Sequence, residues 1–141
     1  MMRSWIEGRA HAVCGALATL IVGLSGCGGN AAAQSLMPMR GEVVSSTENF
    51  ALRLFAGNPY AHRMRVEIRV YDSDFAPVAA EVRPPVRTLG GGTKASVMVI
   101  VPFQGAMQRR VRVCAESIPF PHQTTRVRTQ ICGKFLARRL G

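Results

Sequence analysis

Tryptophan is missing from the body of this sequence: the single copy, Trp5, lies among the first residues, so no argument from a buried indole applies. Histidine is scarce too. His62 and His122 fall in turn-like segments with no partner side chain nearby, which is the pattern of surface histidines and not of a catalytic base. The only aspartates, Asp72 and Asp74, sit in "YDSDFAP", where they act as turn residues and not as a catalytic carboxylate pair. Cys114 and Cys132 have the wrong spacing for a zinc site and no His or Cys pair to complete one. "GGGTK", Gly90 to Lys94, has the composition of a phosphate loop, but a strand-like run follows it, so no helix N-terminus is on offer. These absences argue against an enzyme, and no cofactor or metal is expected. Beyond residue 33 there is no helical periodicity and no second long apolar run to serve as a membrane anchor.

What is present begins with an address. Arg3 and Arg9 precede an apolar run, Ala12 to Leu24, too short to span a bilayer and followed by small residues. This is a secretory signal, and two processing readings stand. "AAAQ" offers an A-x-A cleavage site, making residues 1–33 the signal peptide and 34–141 the mature domain. "LSGC" has the shape of a bacterial lipobox, in which Cys27 is lipidated and becomes the first residue. The protein is therefore expected in the periplasm, soluble or lipid-anchored, and touches a membrane only through that anchor.

Of the four cysteines, only Cys114 and Cys132 lie in the body of the protein. Two thiols in an oxidising compartment read as one disulfide, against the alternative of two buried free thiols. The full chain carries 18 Lys+Arg against 8 Asp+Glu, and removing residues 1–33 leaves a charge of +9, with Lys94 and Lys134 the only lysines. Such a charge suits nucleic acid, an anionic surface or an acidic protein. Export argues against nucleic acid.

Strand signals dominate. "MRVEIRVY", Met64 to Tyr71, alternates strictly, with Met64, Val66, Ile68 and Val70 on one face. Further strands are expected at Met39 to Val44, Phe50 to Ala56, Val78 to Val82, Ala95 to Val101, Arg109 to Glu116 and Arg126 to Phe135. Turn chemistry separates them: "GNP", "YDSDFAP", "RPP", "IPFP", and "GGG", the last read as a hairpin turn with Lys94 at its exit. About seven short strands in roughly 100 residues argue for an all-β, immunoglobulin-like sandwich.

The two last strands allow a register to be drawn. With Cys114 opposite Cys132, the turn centres on Gln123. Val111, Val113 and Ala115 then share the core face with Val127, Thr129, Ile131, Gly133 and Phe135. Both cysteines and the arginines take the polar face. Arg112 then stands against Lys134, a like-charge pair that stability alone would not favour.

"EVRPPVRTLGGGTKASVMVIVP" resembles the first domain of periplasmic pilus-assembly chaperones of the chaperone–usher class. In that family a strand runs into a "PP" step, followed by a short apolar residue, a Leu, a Gly-containing turn and an apolar strand. "RRVRVCAESIP" is similar to the family's penultimate strand and "RTQICGKFLARR" to its last, while "MRGEVVSSTENFALRLFAGNP" is similar to the first two. The resemblance implies an immunoglobulin-like domain that binds an extended strand of an exported protein, such as a pilus subunit or an usher-like component. Two basic residues of the family grip a subunit's C-terminal carboxylate, and by position these are Arg40 and Lys134. The last strand pairs with the partner by β-augmentation, and the corresponding row is Val127, Thr129 and Ile131. A disulfide between the last two strands occurs in one branch of the family, and Cys114–Cys132 is similar to it. The sequence departs from the family in length: those chaperones have a second domain, and this chain stops at Gly141, directly after the last strand of the first. The competing expectation is a structural or adhesive lipoprotein domain of the envelope without chaperone activity.

Overall fold

A computed structural model describes residues 34–123 and 128–141. The expected signal segment, with the cleavage points expected before Cys27 and before Gln34, and Val127 of the expected pairing row lie outside the described residues or at their boundary. Among those described, no helix is long and apolar enough to cross a membrane.

Among the described residues, nine strands form two sheets: β1 Ser35–Met37, β2 Arg40–Ser45, β3 Asn49–Gly57, β4 Met64–Tyr71, β5 Glu81–Arg83, β6 Val86–Leu89, β7 Lys94–Pro102, β8 Gln108–Ile118 and β9 Gln130–Arg139. The first sheet has the order β1-β3-β7-β5 and the second β2-β9-β8-β4-β6. The fold is an immunoglobulin-like β-sandwich. Phe50, Leu52 and Leu54 of β3 and Val97, Val99 and Val101 of β7 face Val66 and Ile68 of β4, Val111 and Val113 of β8 and Phe135 of β9. Each such side chain contributes about 1.5–3 kcal/mol by leaving water. This inward row is why the strict alternation of Met64 to Tyr71 becomes a strand with one wet face.

Three expectations change. The strand expected at Val78 to Val82 is β5, Glu81–Arg83. Val78 instead donates its N–H to the Val70 carbonyl at 2.9 Å, beside a lone bridge from Tyr71 to Pro77. The short strands β1 and β6 join the expected set. The "GGG" turn is no hairpin, because β6 and β7 belong to different sheets. Prolines mark two other crossings between sheets, the cis Met37–Pro38 step from β1 to β2 and the cis Arg83–Pro84 step from β5 to β6. Proline has no N–H to give, so a ladder ends naturally there.

Asn58, 2% exposed, holds the loop after β3 against the "GGG" turn. Its Nδ2 donates to the carbonyls of His62 at 2.8 Å and Gly90 at 3.0 Å, and its Oδ1 accepts the Tyr60 N–H at 3.0 Å. Gly91 completes the fit: a Cβ there would lie 2.3 Å from the Ala61 carbonyl oxygen. We expect Asn58→Ala to cost about 2–3 kcal/mol, since it strands several buried polar groups at once. Denaturant unfolding measures this, and a loss below about 0.5 kcal/mol would show that water replaces the side chain.

Cys114 and Cys132 are bonded and are register partners, as the hairpin reading requires. Cys114 is fully buried although it belongs to the outer face. The bond closes a separation of 18 residues, for which chain entropy predicts about 3 kcal/mol of stabilisation. Cys114→Ser should therefore lower the melting temperature while the circular dichroism stays β-dominated. Thiol labelling of the denatured, unreduced wild type should find neither residue; labelling of both would break the register argument.

Candidate functional site

β2 runs parallel to β9, and the first rung of that ladder pairs Arg40 with Lys134. On the other side of β9, Lys134 is the partner of Arg112, which in turn stands opposite Tyr71 of β4. Arg40, Lys134 and Arg112 thus form one transverse row across three adjacent strands. Arg110 lies two residues along β8 on the same face, about 6.8 Å away by strand geometry.

Among the described residues, no ion pair neutralises this row. The ion pairs among the described residues take up Arg69, Arg83 and Arg139. Glu67 is bound to Arg69 at 2.9 Å. Glu116, 8% exposed, accepts the Tyr71 hydroxyl at 2.7 Å and the Gln130 amide at 2.8 Å. That hydrogen bond, and then burial, hold the Tyr71 phenol above its ordinary pKa, so it stays a donor to Glu116. Glu42 is the one acid that lines the cleft over the row, beside Arg40, Lys134, Arg110 and Arg112. The cleft holds about 590 Å³.

Arg112 is fixed in place. Its Nε and Nη2 donate to the Ser73 carbonyl at 3.3 and 3.2 Å, and its guanidinium lies 4.5 Å from the centre of the Phe75 ring. The turn beneath it is itself held by Asp72, whose Oδ1 accepts the N–H groups of Asp74 and Ala76 at 2.8 and 2.9 Å. Asp72 is therefore a turn-former, and what it supports is a cation.

β9 has an open side. Odd-numbered positions along β9 and just before it bond toward the β8 side, as in Ser117 N–H to the Thr129 carbonyl and Arg139 N–H to the Met107 carbonyl. Lys134 donates the other way, to the Met39 carbonyl at 2.8 Å. By the alternation of a strand, Gln130 and Cys132 also point away from β8. β2 joins only from Lys134 onward, so among the described residues no strand covers Gln130 to Cys132. The basic row closes the end of this open edge.

The two described members of the expected pairing row are engaged within the chain. The Thr129 hydroxyl donates to Gln34 Oε1 at 2.9 Å, and its N–H donates to the Ser117 hydroxyl at 2.8 Å. Ile131 is half-buried against the core. The cleft includes Arg110 and Arg112, which sequence reasoning left on a wet face, and Glu42, to which it gave no role. The signal was present in the Arg112–Lys134 register; the parallel ladder that brings Arg40 to the same place was not.

A row of like charges should cost stability. We expect Lys134→Gln to leave the protein as stable as wild type or more so by about 0.2–1 kcal/mol at low salt. The gain should vanish at about 0.5 M salt. Loss of more than about 1 kcal/mol would mean that Lys134 serves the fold.

No protein-family model matches the sequence, and no curated protein matches it. Solved structures do. The E. coli chaperone DraB matches with a TM-score of 0.60 at 20% identity, over 76% of this chain and 55% of DraB. A complex of the Salmonella enterica SafA pilin with the SafB chaperone matches with a TM-score of 0.60 at 20% identity, over 76% of this chain and 54% of the matched one. SSP-19, an MSP-domain-like protein of Caenorhabditis elegans, matches with a TM-score of 0.54 at 9% identity, over 74% of this chain and 98% of its own. The protein thus spans little more than half the length of the chaperone structures it matches, and its fold is the immunoglobulin-like sandwich found in pilus chaperones.

Proposed function

We propose that the protein binds the C-terminal strand of another exported protein, such as a pilus subunit, by adding it to the open edge of β9. The strand runs parallel to β9, gives and takes backbone hydrogen bonds at Gln130 and Cys132, and ends with its carboxylate between Arg40 and Lys134. The observation that carries this reading is the parallel β2–β9 register, which sets the two cations side by side where the open edge ends. Backbone pairing supplies affinity and the charged end fixes register. The likeness to chaperones, one of them solved with a pilin, supports the same reading. No catalytic step is proposed.

Each carboxylate contact is worth about 1.5–3 kcal/mol. Arg40→Ala or Lys134→Ala should therefore weaken capture of an exported partner, crosslinked in the periplasm, by at least roughly tenfold. Arg87→Ala, on the far edge strand β6, should change it little and only at low salt. Arg109 and Arg139 are poorer controls, because Arg109 donates to the Pro102 carbonyl and Arg139 pairs with Glu48. Binding should also slow hydrogen exchange at Gln130 and Cys132. Equal losses for all variants, erased by salt, would reduce the site to a diffuse basic surface. No captured partner at all would leave a structural or adhesive envelope domain as the reading.

A further inference from the structure

Two cations suffice for one terminal carboxylate, yet four surround the cleft. Arg40 and Lys134 stand on β2 and β9; Arg112 and Arg110 stand on β8, one strand spacing away, about 4.8 Å. Among the described residues only Glu42 opposes them within the cleft, and Glu67 and Glu116 are committed elsewhere on the face. Arg112 is pinned by the Ser73 carbonyl and the Phe75 ring without an anionic partner among the described residues. Two of its five N–H groups are spent on Ser73, which leaves donors for a second acceptor. A guanidinium held in this way loses little freedom on binding an anion.

We propose that the cleft is a two-subsite cradle for a peptide terminus bearing two carboxylates. Arg40 and Lys134 take the terminal carboxylate, and Arg112 with Arg110 takes the side-chain carboxylate of a last residue that is Asp or Glu. The proposal rests on the strand-binding reading above and names the class of partner: an exported chain with an acidic last residue. The preferred terminus is thus a dianion, and the excess of cations over Glu42 is the selecting feature.

The test uses protein purified from the periplasm of an expressing cell and four labelled peptides. All share ten residues of alternating Val and Thr; they end in Asp acid, Asn acid, Asp amide or Asn amide. Fluorescence anisotropy reads binding. The Asp acid peptide should bind at least tenfold more tightly than the Asn acid peptide. Arg112→Gln and, separately, Arg110→Gln should shrink that ratio toward one while weakening Asn acid binding far less than Asp acid binding. Among the described residues Arg110 makes no side-chain hydrogen bond or ion pair, so Arg110→Gln serves even if Arg112→Gln disturbs the Asp72–Phe75 turn. Arg40→Gln or Lys134→Gln should instead shrink the ratio of acid to amide. If wild type binds Asp acid and Asn acid alike while still preferring acid to amide, the second subsite is wrong and the terminal clamp stands. If acid and amide bind alike, the clamp itself fails. If none of the four peptides binds saturably, both are overturned.

Discussion

The register of β8 against β9 is the constraint on which the rest of the molecule depends. With Cys114 bonded to Cys132, the two strands cannot slip by one residue. A slip of β8 would turn Val111 and Val113 to water and put Arg112 in the core, and a slip of β9 would do the same with Phe135 and Lys134. The same register sets Lys134 beside Arg112. The parallel arrival of β2 then adds Arg40 to the row. One covalent pin thus orders both the apolar face that stabilises the domain and the charged face that opposes it. Gly133 shows how tightly the inner face is drawn: a Cβ there would lie 2.8 Å from the Phe135 ring and 3.2 Å from the Pro38 carbonyl oxygen.

Much of this was legible in the residues. The alternation from Met64 to Tyr71 is strict because one face is buried and the other wet, and period two reports that difference directly. The hairpin register could be drawn because only one alignment satisfies both the cysteines and the apolar rows. The short strands β1 and β6, Ser35–Met37 and Val86–Leu89, are too brief for periodicity to register. Val78 misled for a different reason. It bonds to Val70 in a single contact, and an isolated bond carries the same residue preferences as a ladder. The "GGG" turn was legible as a turn, but composition does not say whether a chain returns to its own sheet or crosses to the other.

The candidate site divides along the same line. Lys134 against Arg112 follows from local pairing. Arg40 joins them through a parallel ladder between the two ends of the domain, and no local pattern encodes such a pairing. Arg40 could be named beforehand only through resemblance. Arg110 and Arg112 looked like a solvated face because a strand's polar row reads the same whether or not its neighbours hold acids. Their meaning came from where Glu67 and Glu116 spend their oxygens, on Arg69, Tyr71 and Gln130.

An exposed strand edge invites a second copy of the same chain as readily as a foreign one. The charges near β9 bear on that hazard. Two copies pairing antiparallel about Ile131 would set Lys134 of one beside Arg128 of the other, twice over. That homotypic contact thus starts with a repulsion, while a strand that ends in negative charge meets none. The same lysine to which the proposed clamp assigns a guest's end thus also disfavours pairing of the edge with its own kind.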